Sequence, residues 1–274
     1  MNRAARVFAV VLLVAVVALG AVLLARGRRE QESGRDVLVV YAPCGMTGPL
    51  NSVLRLFRES HPEIRLDVLY DNGVVLIRNI RKGGRPDVLL SPGELEMRQM
   101  VEEGYVDPES VRDFATLEMV VIAPKSLAGV TGLADLTGPR VKLISMADPK
   151  LNSVGYYGER ALRSLGLWEP LQSKLLLREY SLEAVTLVTT GVVDAGITYL
   201  TCPLDTAPEK AEKSDVRVLA HLPREAYAPV RLQAGVLREA KRPDLGRMFI
   251  EFMLSEQAQQ AVATDGLLPA EAIE

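Results

Sequence analysis

The sequence predicts an α/β protein whose chain folds into two lobes. After residue 35, short apolar runs rich in β-branched residues alternate with segments whose apolar residues recur at helical spacing. Such alternation is typical of mainly parallel sheets flanked by helices and joined by right-handed crossovers. Two further apolar runs, at 117–125 and 228–237, are placed to carry the chain into a second lobe and back again. We therefore expect lobe 1 at 36–120 plus 232–274 and lobe 2 at 121–231.

The first lobe is predicted to begin with a strand, a turn and a helix between residues 37 and 60. Pro43, Gly45 and Gly48 end the strand, and Pro49 suits the first position of a helix because its missing N–H needs no partner there. A turn of this kind presents backbone N–H groups at a helix N-terminus, which favours an anion. Taken alone, the stretch is better explained as an ordinary β–α turn, and the rest of the chain favours the anion site.

The other elements follow from the same signals. Gly104 ends one helix, Gly166 is placed as the C-cap of another, and Ser181 suits an N-cap. A polar loop is expected at 206–214. Further strands are predicted at 64–70, 86–91, 117–123, 141–146, 175–180, 195–199, 216–221 and 230–237, and further helices at 74–82, 95–103, 153–165, 182–190 and 244–264.

Composition limits the class of protein. Hydrophobic residues make up 48% of the 274 residues and charged residues 24%, which excludes a disordered chain. The formal net charge of −3 gives no reason to expect nucleic acid as a partner. The sequence contains no nucleophile elbow, phosphate-binding loop or zinc motif. We therefore expect a protein that is not an enzyme and that carries no cofactor.

The N-terminus predicts export. Residues 7–25 are apolar without a break and are flanked by arginines on both sides. The run is long for a signal peptide and about right for a transmembrane helix, so it serves either as a cleaved signal or as a membrane anchor. Residues 1–35 are thus assigned to this segment and its linker, and the rest of the chain is expected in the periplasm or another extracytoplasmic space.

Several segments, taken in order, resemble a known family. They are VYAPCGMTGPL at 40–50, RPDVLLS at 85–91, VVIAPK at 120–125, DAGITY at 194–199 and FMLSEQAQQAVATDGLLP at 252–269, together with residues 148–175. The chain resembles the periplasmic substrate-binding proteins of ABC transporters, in particular the molybdate-binding group. The resemblance implies a type II periplasmic-binding-protein fold, an ABC permease as partner, and a small oxyanion such as molybdate or tungstate bound between the lobes.

In that group the oxyanion is held by backbone N–H groups, serine hydroxyls and one tyrosine. The resemblance places the two serines at Gly45 and Gly73, the second-lobe backbone donors near Val154 and Ser181, and the tyrosine at Tyr199. Both serine hydroxyls are therefore missing from this sequence. Cys44 and Asn72 stand beside the two substituted positions and complete the predicted ligand-binding set.

Three neighbouring groups are candidates to replace the missing hydroxyls: Thr47, Ser153 and the Asn72 amide. Asp71 places a carboxylate near the site, which repels a dianion unless it faces away.

Two alternatives stay open. One is a membrane-anchored sensor or scaffold that keeps the fold without transport. The other is a carrier of a metal or metal chelate that uses Cys44 and Cys202, with Met46 nearby as a further soft ligand. The two cysteines are equally open to interpretation as a disulfide or as two separate thiols. The adjacent pair Tyr156 and Tyr157 is a further candidate for metal binding, although Tyr157 matches a packing position of the family.

Overall fold

The computed structural model describes residues 36–202, 215–264 and 266–270, and these form two lobes, each built on one sheet. The predicted N-terminal apolar helix and the predicted loop at 206–214 lie outside these ranges. Within them, no helix is long and apolar enough to cross a bilayer. The strands are β1 Asp36–Pro43, β2 Ile64–Asp71, β3 Val88–Ser91, β4 Arg112–Leu117, β5 Met119–Pro124, β6 Ile144–Ala147, β7 Leu175–Arg178, β8 Ala195–Tyr199, β9 Val216–His221, β10 Val230–Val236 and β11 Leu268–Pro269. The helices are α1 Asn51–Ser60, α2 Gly73–Arg81, α3 Glu94–Glu102, α4 Ser153–Ser164, α5 Trp168–Leu171, α6 Ser181–Thr189, α7 Pro243–Met253 and α8 Glu256–Thr264.

Both sheets are mixed, so the prediction of mainly parallel sheets was wrong. The first has the order β11-β4-β10-β3-β1-β2 and the second β7-β6-β8-β5-β9. In the first, β1 runs parallel to β2 and β3, whereas β10 is antiparallel to β3 and β4. In the second, β6 is parallel to β7 and β8, whereas β5 is antiparallel to β8 and β9. The antiparallel strands β5 and β10 are those that enter a lobe from the other one, so no crossover helix sets their direction.

The chain changes sheet at two neighbouring places. The first is Glu118, between β4 and β5, and the second is the segment between β9 and β10. The Glu118 carboxylate pairs with His221 Nδ1 at 3.0 Å and with the Arg224 guanidinium, so the two connections lie side by side. Met119 and Val120, predicted in lobe 1, pair in the second sheet.

Val230 and Arg231, predicted in lobe 2, pair in the first sheet. The two adjacent connections, at Glu118 and between β9 and β10, form a hinge about which the lobes can move.

Buried apolar residues fill the space between each sheet and its helices. In lobe 1, α1 turns Val53, Leu54 and Phe57 inward at helical spacing, as the sequence pattern predicts. The Phe57 ring packs edge-on against Phe249 of α7, with ring centroids 5.0 Å apart. The C-terminal part of the chain therefore returns to the first lobe, where α7 packs against α1.

Candidate functional site

Four turns meet at the interface between the lobes. Two follow the parallel strands β1 and β2 of the first lobe, and two follow the parallel strands β6 and β7 of the second. Because the carboxyl ends of parallel strands lie at one edge of a sheet, each lobe brings its two turns together there. Helices α2, α4 and α6 each begin at one of these turns, so their positive dipole ends point toward the interface.

The turns enclose a small cavity of about 20 Å³, measured as the space open to the centre of a water molecule. That is room for about one water. Among the described residues, none that lines the cavity carries a charge. Six of the seven predicted ligand-binding residues line the cavity: Cys44, Gly45, Gly73, Val154, Ser181 and Tyr199. Cys202 and Met46, the other soft-ligand candidates, line it too. The sequence interpretation did not assign the remaining lining residues, which are Pro43, Pro92, Leu117, Asn152 and Thr201.

The seventh residue, Asn72, is buried beside the cavity and reaches across the lobes. Its Oδ1 accepts the Val74 N–H at 3.1 Å, which caps α2. Its Nδ2 donates to Ser181 Oγ of the second lobe at 3.2 Å. The Asn72 amide therefore joins the lobes and is not free to replace a serine hydroxyl. Asp71 accepts the Asn72 N–H at 2.7 Å and does not line the cavity.

A matching asparagine cap stands at the start of α4. Asn152 Oδ1 accepts the Val154 N–H at 2.9 Å. The Val154 N–H, predicted as a donor to the ligand, is thus already bonded within its own turn. Asparagine is among the preferred N-caps for this purpose, a signal that the sequence offered and that was not used.

The other two candidate hydroxyls are also engaged. Thr47 Oγ1 donates to the Cys44 carbonyl at 2.7 Å, within the first turn. The Ser153 hydroxyl contacts the Glu96 carboxylate of the opposite lobe. Neither hydroxyl therefore points into the cavity in place of the missing serines.

The second-lobe donor at α6 differs in detail from the prediction. The N-cap is Tyr180, and Ser181 is the first helical residue. As first residues of their helices, Gly73 and Ser181 have N–H groups without a partner inside the helix. Both residues line the cavity, so these two N–H groups are the backbone donors best placed to serve a bound anion.

Tyr199 places a buried hydroxyl at the cavity. Tyr199 is the last residue of β8, is 2% exposed and lines the cavity. Its hydroxyl has no hydrogen-bond partner anywhere in the described part of the chain. Burial, with a further contribution from the Glu96 carboxylate, raises the pKa of Tyr199 well above its usual value. The hydroxyl is therefore a neutral donor, and leaving such a buried group unsatisfied costs about 1–3 kcal/mol.

The two cysteines come from opposite lobes and line the same cavity as free thiols. Cys202 Sγ packs so close to Gly45 that a Cβ there would lie 3.1 Å from the sulfur. Burial raises the pKa of Cys202 to about 11. Burial also raises the pKa of Cys44, with a smaller contribution from Asp71. Both thiols are thus protonated at neutral pH.

The tyrosine pair lies outside the cavity. Tyr157 is buried, and its hydroxyl donates to Glu94 Oε2 of the other lobe at 2.9 Å. Tyr156 carries the Arg160 guanidinium over its ring at 4.3 Å. Among the residues that the structure describes, no cluster of three or more histidine, cysteine, aspartate or glutamate side chains is arranged to hold a metal ion.

Comparison with known proteins decides the family. The family model described as bacterial extracellular solute-binding protein matches residues 38–268. The chain belongs to this family. Its curated relatives include YvgL of Bacillus subtilis, provisionally named an ABC transporter substrate-binding lipoprotein, which is 23% identical over 89% of this chain and 93% of that protein. The molybdate-binding protein ModA of Haemophilus influenzae is 22% identical over 84% of this chain and 89% of that protein.

The solved structures agree on the fold. The periplasmic molybdate-binding protein of Azotobacter vinelandii superimposes with a TM-score of 0.70 at 18% identity, covering 84% of this chain and 98% of that one. The resemblance to the molybdate-binding group, read from the sequence motifs, is therefore confirmed. This solute-binding protein has the two-lobed fold of the group and cavity residues that depart from the group's serine pattern.

Proposed function

We propose that this solute-binding protein encloses a small oxyanion, of the molybdate or tungstate type, between its lobes and delivers it to an ABC permease. The observation that carries the proposal is the unpartnered, buried Tyr199 hydroxyl, which lines the cavity where four strand-to-helix turns converge. A ligand oxygen in the cavity would accept a hydrogen bond from that hydroxyl and relieve the cost of burying it unsatisfied.

The donors available to the anion are neutral. The N–H groups at the starts of α2 and α6 and the Tyr199 hydroxyl surround the cavity, and no lysine or arginine of the described ranges lines it. Donors of this kind bind an anion through aligned dipoles and hydrogen bonds without an ion pair. The geometry thus supports recognition by shape and donor position, with no catalytic step.

Binding would require the lobes to move. The cavity admits about one water-sized group, whereas an oxyanion carries several oxygens around its central atom. The paired connections at Glu118 and between β9 and β10 allow the lobes to separate, admit the ion and close on it. Hinge motion of this kind is also how a bound solute would be released to a permease.

The proposed place of action is the extracytoplasmic side of a membrane. The family consists of extracellular proteins, and the apolar run at 7–25 predicts export. The name of one relative, as a substrate-binding lipoprotein, supports a membrane tether. We propose that the N-terminal segment either is cleaved or stays as the tether.

A second candidate function is supported by the sulfur atoms. Cys44, Met46 and Cys202 all line the cavity, and two thiols with a thioether suit a soft cation such as Cu(I). Both thiols would have to lose their protons on binding. The sensor or scaffold alternative has no such feature in its favour and stays a hypothesis.

Thermal unfolding of the purified protein in the presence of molybdate, tungstate, sulfate or Cu(I) tests the proposal. A ligand that binds only the folded state raises the free energy of unfolding and therefore the melting temperature. At a ligand concentration a thousandfold above Kd, the free energy of unfolding rises by about 4 kcal/mol. We expect molybdate or tungstate to do so. A shift with Cu(I) and none with any oxyanion would favour the second candidate instead.

A further inference from the structure

A buried carboxylate, which the proposed function does not use, lies between the lobes. Glu96 belongs to α3 of the first lobe and is 1% exposed. Its Oε1 accepts the Ser153 N–H at 2.9 Å, and its Oε2 contacts the Ser153 hydroxyl. Ser153 is the first residue of α4 in the second lobe. The carboxylate therefore accepts the first N–H group of α4, a helix whose N-terminus points at the ligand cavity.

The two lobes approach each other closely beside this contact. A Cβ at Gly93 would lie only 2.4 Å from Ser153 Oγ, so the backbone of one lobe touches the side chain of the other. Glu96 also lies near the cavity, because a Cβ at Gly73, a lining residue, would be 3.8 Å from Glu96 Oε1. Its charge reaches Tyr199, whose pKa it helps to raise.

No cation balances this carboxylate. Glu96 forms no ion pair with any residue in the described ranges, and its partner Ser153 is uncharged. The titratable groups that face it are the hydroxyls of Tyr157 on α4 and Tyr199 on β8. Glu94, on its own helix, is turned to the Tyr157 hydroxyl and lies 4.0 Å from Arg231. A buried charge without a partner is costly, and a second anion placed beside it is repelled.

We propose that Glu96 takes up a proton when the lobes close on an oxyanion, so that this site binds anion and proton together. The proton comes from solvent and adds to a carboxylate oxygen, which converts the buried anion to a neutral acid. The contact with Ser153 survives this change, since the acid O–H then donates to Ser153 Oγ, whereas in the ionised form Ser153 donates to Glu96. Glu96 thus sets the charge that the closed site accepts. The anion-binding half of this inference rests on the proposed function, and the proton-binding half does not.

The proton-binding half is tested on the ligand-free protein. Burial raises the pKa of Glu96 in the folded state, and the hydrogen bonds from Ser153 offset this only in part. The protonated side chain therefore stabilises the fold at low pH, and that stability is lost as pH rises through the folded pKa. Glu96→Gln keeps the shape and removes the charge. We expect the variant's melting temperature to exceed that of the wild type by an amount that grows as pH rises from the ordinary range of a glutamate toward the raised folded-state pKa of Glu96.

Two controls accompany this measurement. Glu94→Gln alters a half-buried carboxylate two residues away on the same helix, and its amide oxygen can still accept the Tyr157 hydroxyl, so it should show no such growth. Ser153→Ala removes the hydroxyl that stabilises the ionised form, so it should move the transition to higher pH. A difference between Glu96→Gln and wild type that does not vary with pH overturns the assignment. The assignment is also overturned if the pH at which stability is lost is the same in Ser153→Ala as in the wild type.

The anion-binding half is tested by calorimetry with molybdate in two buffers of different ionisation enthalpy at the same pH. The wild type should take up about one proton per molybdate bound and lose up to about tenfold in affinity per pH unit of increase above the pKa of Glu96. Glu96→Gln should take up none and bind with an affinity independent of pH, whereas Glu94→Gln should match the wild type. Uptake that persists in Glu96→Gln overturns the coupling. If no oxyanion binds either protein while the pH-dependent melting difference remains, the proposed function and the coupling fail and the proton-binding assignment stands.

Discussion

Asn72 Nδ2 donates to Ser181 Oγ at 3.2 Å, so the residue that caps α2 in one lobe touches the first residue of α6 in the other. The same asparagine accepts the Val74 N–H. One side chain thus stabilises a helix start at the cavity and links it to the opposite lobe. The start of α2 and the closure of the two lobes therefore depend on the same side chain.

Replacing Asn72 by alanine should therefore cost more than the loss of a helix cap. Removal of an asparagine cap costs about 0.5–2 kcal/mol, and the link to Ser181 is lost as well. Asn152→Ala is the matched control, because Asn152 caps α4 in the same way through Val154 and has no bond to the other lobe. Urea unfolding should show a larger loss of stability for Asn72→Ala than for Asn152→Ala.

Calorimetry with molybdate should separate them. We expect Asn72→Ala to weaken binding more than Asn152→Ala, because only the former removes an interlobe bond of the closed state. Ser181→Ala should reproduce the interlobe part of the loss while α2 keeps its cap. Equal affinities for Asn72→Ala and Asn152→Ala would show that the bond to Ser181 does not support closure.

The two glycines that replace serines are needed for space. Neither Gly45 nor Gly73 has a positive φ, so the backbone of each accepts any residue. A Cβ at Gly45 would meet Cys202 Sγ at 3.1 Å, and one at Gly73 would meet Pro92 Cγ at 3.2 Å. Gly45→Val and Gly73→Val should abolish molybdate binding and leave the fold intact. Gly132→Val, where a Cβ meets nothing within 4 Å, should leave binding unchanged.

The thiols offer a test between the two candidate ligands. Cys44→Ser replaces a buried thiol with a hydroxyl beside the position where the family carries a serine. Affinity for molybdate should stay near that of the wild type or improve, and any binding of Cu(I) should fall. Titration of both ligands into the variant, with Cys202→Ser in parallel, measures this. Loss of molybdate binding in Cys44→Ser would identify the thiol itself as a ligand group.

The location of the site could be predicted from the sequence, because it depends on local signals. Proline, glycine and asparagine at the ends of β1 and β2 mark turns that precede helices, and the carboxyl ends of parallel strands place such turns together. The direction of β5 could not be predicted by the same means. That strand follows β4 after one residue and joins a different sheet, so no helix of its own determines how it runs.

The donors inside the site were harder to predict. Asn72 and Asn152 take the N–H groups of Val74 and Val154, which are local bonds that capping preferences could have suggested. Burial of Glu96 had no local signal, since its partner Ser153 is 57 residues away in the other lobe. A charged residue in an amphipathic helix is ordinarily solvent-exposed, and only the packing of the two lobes reverses that expectation here.

Tyr199→Phe tests the central claim most directly, because its expected effects on stability and on binding have opposite signs. In the ligand-free protein the change removes a buried hydroxyl without a partner in the described chain, so the free energy of unfolding should stay the same or rise. With molybdate, the same change removes a hydrogen bond to a charged ligand worth about 1.5–3 kcal/mol, or roughly a ten- to hundredfold loss of affinity. The deciding measurement is the molybdate Kd of wild type and Tyr199→Phe by calorimetry. A Kd weakened by that factor in a variant at least as stable as the wild type is the predicted result, and equal affinities of the two proteins would contradict the claim that Tyr199 donates to a bound oxyanion.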